Sequence, residues 1–155
     1  MANLVAPLQA NPELPVFFNV DGVVGAAPAE NRREDVLLVQ FILKSVGEKP
    51  QDRMTPDEIA VFKAVNVTGV CDAATISAIK LVQIKKHSVN PGIVVDGRVS
   101  PARGGSYSYG GGVWTIAIIN DLMQDKNIDV WPRIDLMPSC PPEVKAMVKR
   151  ACVGV

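Results

Sequence analysis

Apolar residues recur at helical spacing in the segment from Glu34 to Val46, which contains neither glycine nor proline. Gly47 follows at the position where helices commonly end, which predicts a helix with Gly47 as its C-cap. The apolar residues cover two sides of this helix and leave only Gln40 and Lys44 on a narrow polar edge. We therefore expect both sides to be covered, either by the rest of the chain or by a partner.

Two further helices have recognisable starts. The segment from Thr55 to Glu58 combines an N-cap threonine, a first-turn proline and the glutamate of a capping box, and it predicts a short helix to about Val65. Asp72 is the N-cap of the next predicted helix, and a turn at 90–92 ends that region. Four residues share one face of that helix: Ile76, Ile79, Val82 and Gln83.

Glycine and proline divide the remainder of the chain. Closely spaced prolines predict that residues 1–19 are extended, and five glycines within 104–112 predict a flexible surface loop. A helix from Val113 to about Lys126 should follow, and a last helix should begin at the proline pair 141–142. The apolar face of this last helix is formed by Val144, Met147, Val148 and Ala151.

These elements predict a mainly α protein built as a small helical bundle. We expect an extended N-terminal arm over 1–33, a helical core over 34–103, and a Gly/Tyr loop with a helical C-terminal extension over 104–155. The length of 155 residues fits one domain of ordinary size.

Composition narrows the possible partners. Apolar residues make up 48% of the chain, which is enough for a core, and the 16 basic residues are balanced by 16 acidic ones. Sequence-independent nucleic-acid binding needs a positive field that such a balance does not supply, so we expect no nucleic-acid partner. The N-terminus lacks the basic residues and apolar run of a Sec signal, and the apolar stretch 113–119 is too short to cross a bilayer. We expect the protein to be synthesised in the cytoplasm, and we expect no membrane insertion.

A polar residue followed by glycine recurs three times between apolar residues. The pairs are Asp21-Gly22, Thr68-Gly69 and Asp96-Gly97, here called the first, second and third turns. Each pattern predicts a tight turn in which glycine takes a positive φ, while the flanking apolar side chains hold both ends of the turn in the core.

The turns and helices together form an ordered series of positions. Its members are Val36, Val39, Gln40, Leu43, Gly47, Gly69, Asp72, Thr75, Ile79, Gln83, Asp96 and Gly97. Over about residues 34–101 this series resembles the peptidoglycan-binding domain-like family, small helical modules found beside cell-wall hydrolases. The resemblance implies a three-helix core closed by the third turn, with the helix after Thr55 as an insertion. Three residues differ from those usual in the family: Thr68, Ser100 and Arg103.

We find no residue pattern typical of a catalytic or metal centre. The single histidine, His87, cannot build a multi-histidine zinc site, and we expect it to be solvated at a helix end. Three carboxylates before the first helix could form a glycosidase acid pair, although the helix dipole already favours acids there: Glu30, Glu34 and Asp35. We expect no enzyme activity, no metal and no cofactor.

The three cysteines are too widely spaced for a disulfide framework or a zinc site: Cys71, Cys140 and Cys152. We interpret them as buried small hydrophobic residues or free thiols. The dipole of the following helix could instead stabilise Cys71 as a thiolate.

Five residues around the third turn and the glycine-rich loop are candidates for recognition. Aromatic rings at Tyr107, Tyr109 and Trp114 could stack on sugar faces or on a partner protein. Asp96 and Arg98 could contact amide or carboxylate groups of a stem peptide. The alternatives are that Trp114 anchors its helix to the core, that the tyrosines are loop surface, and that Asp96 and Arg98 are a turn acid and an exposed base.

The resemblance implies a non-catalytic module that docks an associated partner onto wall glycan or stem peptide. The alternative is a structural or adaptor protein of a phage tail or of a contractile injection assembly like type VI secretion, with protein subunits as partners. The lack of an export signal, the arm and the two-sided first helix favour this alternative. The protein would act at the cell wall or within such a particle.

Overall fold

The computed structural model describes residues 3–6, 14–103, 108–109 and 111–152. Within them the protein is mostly helical, with three two-stranded antiparallel sheets. The elements in chain order are β1 (Asn3–Val5), β2 (Phe17–Asn19), β3 (Val24–Gly25), α1 (Arg33–Glu48), α2 (Pro56–Lys63), α3 (Ala73–His87), β4 (Arg98–Val99), β5 (Ser108–Tyr109), β6 (Gly112–Val113), α4 (Thr115–Lys126), a 3-10 turn (Ile134–Leu136) and α5 (Pro142–Ala151).

Helix α1 is the centre of the molecule. Every residue from Asp35 to Leu43 is buried, and α1 packs against the other four helices and against β3. Apolar residues cover two sides of this helix, so one neighbouring element could not have buried them. The chain itself therefore supplies the predicted cover on both sides.

Gly47 lies inside α1, and Lys49 is the C-cap, so the predicted role of Gly47 as the C-cap is wrong. A Cβ at Gly47 would lie 2.7 Å from the backbone nitrogen of Lys63 and 3.0 Å from Phe62. The glycine is present because α2 passes close to the backbone of α1 at this point, and not because the helix ends.

The predicted starts of α2 and α3 are confirmed. In the capping box of α2, the Glu58 backbone N–H donates to Thr55 Oγ1 at 3.2 Å and the Thr55 N–H donates to Glu58 Oε1 at 2.9 Å. Asp72 accepts from the Thr75 N–H at 3.0 Å and begins α3. Helix α2 ends at Lys63, slightly before the predicted end at Val65.

The described residues near the N-terminus are extended and pack on the helices. Strand β1 pairs with β2, and both Phe17 and Phe18 are buried in the core. Asn120 of α4 accepts from the Phe18 N–H at 2.7 Å and donates to the Phe18 carbonyl at 2.9 Å. The side-chain amide of Asn120 thus pairs with β2 as a neighbouring strand would.

The start of α4 and the loop before it differ from the prediction. Val113 belongs to β6, and α4 begins at Thr115. Tyr109 pairs with Gly112, so part of the predicted flexible loop forms a hairpin in which only a Gly-Gly sequence separates the strands. Such a sequence suits the two-residue turns of hairpins.

Helix α5 begins at Pro142 as predicted and buries Val144, Met147 and Val148.

Positive φ angles at Gly69 (82°) and Gly97 (70°) confirm the prediction for the second and third turns. At the first turn the prediction for Gly22 is wrong, because the glycine with positive φ is Gly25 (132°). Strand β3 pairs with β4, and a Cβ at Gly25 would collide with the carbonyl of Gly97. Close strand pairing therefore requires glycine at position 25.

Among the described helices, none combines the length and apolar character that a membrane-spanning segment needs.

Candidate functional site

A buried carboxylate from α1 holds the first turn. Asp35 is fully buried and accepts from the backbone N–H groups of Gly22 at 2.9 Å and Asp21 at 3.2 Å. Burial raises the pKa of the Asp35 carboxyl, and the hydrogen bond from Gly22 lowers it by a smaller amount. The net direction is upward.

A buried glutamine holds the second turn. Gln40 Oε1 accepts from the N–H groups of Thr68 and Gly69, both at 2.9 Å. Its Nε2 donates to the carbonyl of Val70 at 2.9 Å and to Thr75 Oγ1 at 3.1 Å. The predicted position of Gln40 on a polar edge is wrong, because these bonds compensate the loss of water and allow full burial.

The third turn repeats this arrangement with Gln83 of α3. Gln83 Oε1 accepts from the N–H groups of Gly97 at 2.9 Å and Asp96 at 3.2 Å. Its Nε2 lies 3.0 Å from both the Arg98 carbonyl and Asp96 Oδ1, and 3.1 Å from Thr115 Oγ1. In both cases a helix glutamine bonds a polar-Gly turn and a threonine in the first turn of the helix that follows that turn.

Our sequence reasoning did not identify these glutamines as the residues that hold the turns. The available signal was a glutamine among buried apolar positions, followed along the chain by a polar-Gly pair and then a helix-start threonine. Gln40 precedes Gly69 and Thr75 in this order, and Gln83 precedes Gly97 and Thr115.

A small cleft of about 130 Å³ opens beside the third turn, and we call it the third-turn cleft. It brings together three of the predicted recognition residues, Asp96, Arg98 and Trp114. The other residues that line it are Gln83, Val94, Ser100 and Thr115. Because Gln83 bonds both the third turn and Thr115, it fixes two walls of this cleft relative to each other.

The charged groups of the third-turn cleft are only loosely paired. Arg98 Nε lies 3.7 Å from Asp96 Oδ2, and Arg98 Nη1 lies 3.4 Å from the carbonyl of Ala27. Both distances exceed those of strong hydrogen bonds. Asp96 Oδ1 accepts from the Arg98 N–H at 3.0 Å, so this oxygen belongs to the turn. The guanidinium and Asp96 Oδ2 are the groups that a ligand could engage.

The aromatic candidates differ in what the structure describes. Trp114 is half-buried and packs against the hydrophobic core, as the anchoring interpretation predicts, and it also lines the third-turn cleft. Tyr109 pairs with Gly112 through its backbone, but its side chain lies outside the described residues. Tyr107 also lies outside them.

The residues considered for catalysis have structural partners. His87 is exposed at the end of α3, as predicted, and its Nδ1 lies 2.7 Å from the Ile93 carbonyl oxygen. Glu30 pairs with Arg32 at 2.8 Å, and Glu34 pairs with Arg150 at 3.6 Å. The third acid of the cluster, Asp35, holds the first turn.

All three cysteines are free thiols. Burial raises the pKa of each, to about 11 for Cys140. At Cys71 the adjacent Asp72 raises the pKa further, which opposes the thiolate considered from the sequence. The described residues contain no group of three or more histidine, cysteine or acidic side chains placed to hold a metal ion.

Comparison of the chain with protein-family models, with curated proteins and with solved structures finds no match.

Proposed function

We propose that this protein is a non-catalytic peptidoglycan-binding module of the peptidoglycan-binding domain-like type. In this proposal the third-turn cleft docks onto the bacterial wall and brings an associated partner to it. One observation carries the proposal: Asp96, Arg98 and Trp114, which are candidates on sequence grounds, line a single cleft.

The volume of the cleft suits one chemical group better than a whole saccharide. A guanidinium binds a carboxylate through parallel hydrogen bonds, so Arg98 would take the carboxylate of a stem peptide. Asp96 Oδ2 would accept from a peptide N–H, and Trp114 would offer an apolar surface to a methyl group or sugar face. We therefore favour the stem peptide as the primary contact and the glycan as a secondary one.

The hydrogen bonds of Gln83 support this role because they fix the cleft before a ligand arrives. Binding sites whose side chains are held by further hydrogen bonds lose less entropy on binding. Asp96 and the backbone of Arg98 are both tied to Gln83.

The alternative role in a phage tail or injection assembly has less support in the fold. A two-sided first helix favours burial between subunits, but the chain itself covers α1. The described N-terminal strands likewise pack on their own helices.

A pull-down with insoluble peptidoglycan sacculi tests the proposal. We expect the wild-type protein to sediment with the sacculi and Arg98→Ala to lose most of this binding, since it removes a charge-assisted contact of about 1.5–3 kcal/mol. Arg150→Ala is the matched control, because it removes the same charge from α5, far along the chain from the third turn, and should bind as wild type does.

Equal retention of wild type and Arg98→Ala would contradict the proposed site. Wild-type protein that stays in the supernatant, or that assembles into rings or stacks, would favour the assembly role. Circular dichroism of each variant establishes that loss of binding does not reflect loss of folding.

A further inference from the structure

A second and larger cleft lies at the C-terminal ends of α1 and α3, and we call it the helix-end cleft. Its volume is about 490 Å³, within the range of about 300–1,000 Å³ that is usual for small-molecule sites. Its lining includes apolar side chains from four helices: Val46, Phe62, Val82 and Leu122. Met54, in the segment before α2, adds to this apolar surface.

Charged side chains at the same cleft are unevenly paired. Lys85 bonds Glu58 at 2.7 Å, and Asp52 bonds Lys126 at 3.2 Å. The remaining two charged groups that line the cleft are both cations, and neither forms an ion pair within the described part of the chain: Arg53 and Lys86. The cleft thus combines an apolar floor with two unneutralised positive charges.

The α3 dipole alone does not account for this charge. Lysine is favoured in the last turn of a helix, which explains the position of Lys86. Arg53 lies in the non-helical segment between α1 and α2, beyond the C-cap Lys49 and therefore outside the last turn of α1, where the dipole acts most strongly on a cation. Its presence beside the same apolar surface points to a ligand that carries negative charge.

We propose that the helix-end cleft binds a small amphiphilic carboxylate, with its apolar chain on the floor and its carboxylate between Arg53 and Lys86. An inorganic anion would leave the apolar floor exposed, and a neutral hydrocarbon would leave both cations uncompensated. This site is separate from the third-turn cleft, with which it shares no lining residue, and the proposal does not depend on wall binding.

Decanoate is the probe, and decyltrimethylammonium, with the same chain length and the opposite charge, is its control. Isothermal titration calorimetry below the micelle concentration of each should show saturable 1:1 binding of decanoate and much weaker binding of the cation. We expect the double variant Arg53→Gln/Lys86→Gln to bind decanoate at least about tenfold more weakly, because two charge-assisted hydrogen bonds are lost.

Two further variants distinguish binding at a specific site from nonspecific binding. Lys149→Gln removes a positive charge from α5, which contributes no residue to the cleft, and should leave decanoate affinity unchanged. Met54→Trp adds volume at the cleft without altering a helix and should weaken binding. Amide shifts in nuclear magnetic resonance spectra should concentrate at the lining residues.

Equal affinity for the two amphiphiles, or decanoate binding that the double variant leaves intact, would overturn the proposal. Absence of saturable decanoate binding would overturn it as well. A segment of this chain that fills the cleft would also prevent decanoate binding. Contacts between the Val82 methyl groups and that segment, seen by nuclear magnetic resonance, would identify this case.

Discussion

At the scale of single residues, three buried polar side chains hold three turns. Asp35 accepts two backbone N–H groups, whereas Gln40 and Gln83 both accept and donate. A glutamine amide is neutral and has both donors and acceptors, so it can bond both the N–H and the C=O groups of one turn without the cost of burying a charge. Glutamine is therefore the better residue for the second and third turns.

Replacing Gln83 by leucine should destabilise the protein by about 2–4 kcal/mol, because the buried N–H of Gly97 and the partly buried N–H of Asp96 each lose a partner at a cost of about 1–3 kcal/mol. Urea unfolding measures the change. Gln124→Leu is the control, since this buried helix glutamine is not among the side chains that bond the three turns, and its effect should stay below about 1 kcal/mol. Equal effects of the two substitutions would show that the turn bonds contribute little.

Asp35 should make stability fall as pH rises. Its folded-state pKa is raised, so its protonated form favours folding below the ordinary value near 3.8, and this contribution is lost as pH rises through the folded-state pKa. The free energy of unfolding of wild type relative to Asp35→Asn should therefore be lower at pH 7 than at pH 4. A difference that moves in favour of wild type with rising pH would mean that the bonds to Gly22 and Asp21 outweigh burial.

At the scale of elements, local signals predicted the helices well. Thr55, Asp72 and Pro142 each begin or precede a helix as their sequence patterns indicate, because caps and first-turn prolines act within one helical turn. Gly47 was misread because a glycine needed for close helix packing has the same local sequence signature as a C-cap. The distinction depends on α2, which belongs to a different part of the chain.

Gly47→Ala tests this explanation of the α1–α2 contact. In an unobstructed helix, replacing glycine by alanine would stabilise the folded protein by about 0.5–1 kcal/mol. Here the added methyl meets backbone of α2, and we expect a net loss of about 1–3 kcal/mol, as for other overpacked sites. Thermal and urea unfolding give the sign directly.

Gly111→Ala is the matched control for Gly47→Ala, because a Cβ at Gly111 would meet no atom within 4 Å. We expect it to change stability by less than about 0.5 kcal/mol. A stabilising Gly47→Ala would show that α2 can move away from α1 at small cost.

At the scale of the whole molecule, the contacts that could not be predicted are those between distant parts of the chain. Asn120 bonds Phe18 across 102 positions, and Asn19 bonds Ala102 across 83. No repeating pattern of residue types along the sequence connects the two members of either pair. Local patterns therefore could not predict that the N-terminal strands contact α4. The sequence did indicate Asp96, Arg98 and Trp114 separately, but their meeting depends on Gln83 and on the β3–β4 pairing.

The same limit applies to the helix-end cleft. Its lining comes from four helices and from the segment before α2, and no stretch of sequence contains more than a few of these residues. A helical wheel places Val46 and Val82 on apolar faces without showing that both face one opening. Sites of this kind become visible only when the packing of the helices is known.

The most direct test of wall binding by this molecule is titration of the labelled protein with a soluble disaccharide–stem-peptide fragment, followed by nuclear magnetic resonance. We expect saturable shifts of the amides at 96–98 and 114–115, which line or adjoin the third-turn cleft, and the loss of these shifts in Arg98→Ala. Spectra that do not change, or shifts confined to residues away from this cleft, would contradict the proposal.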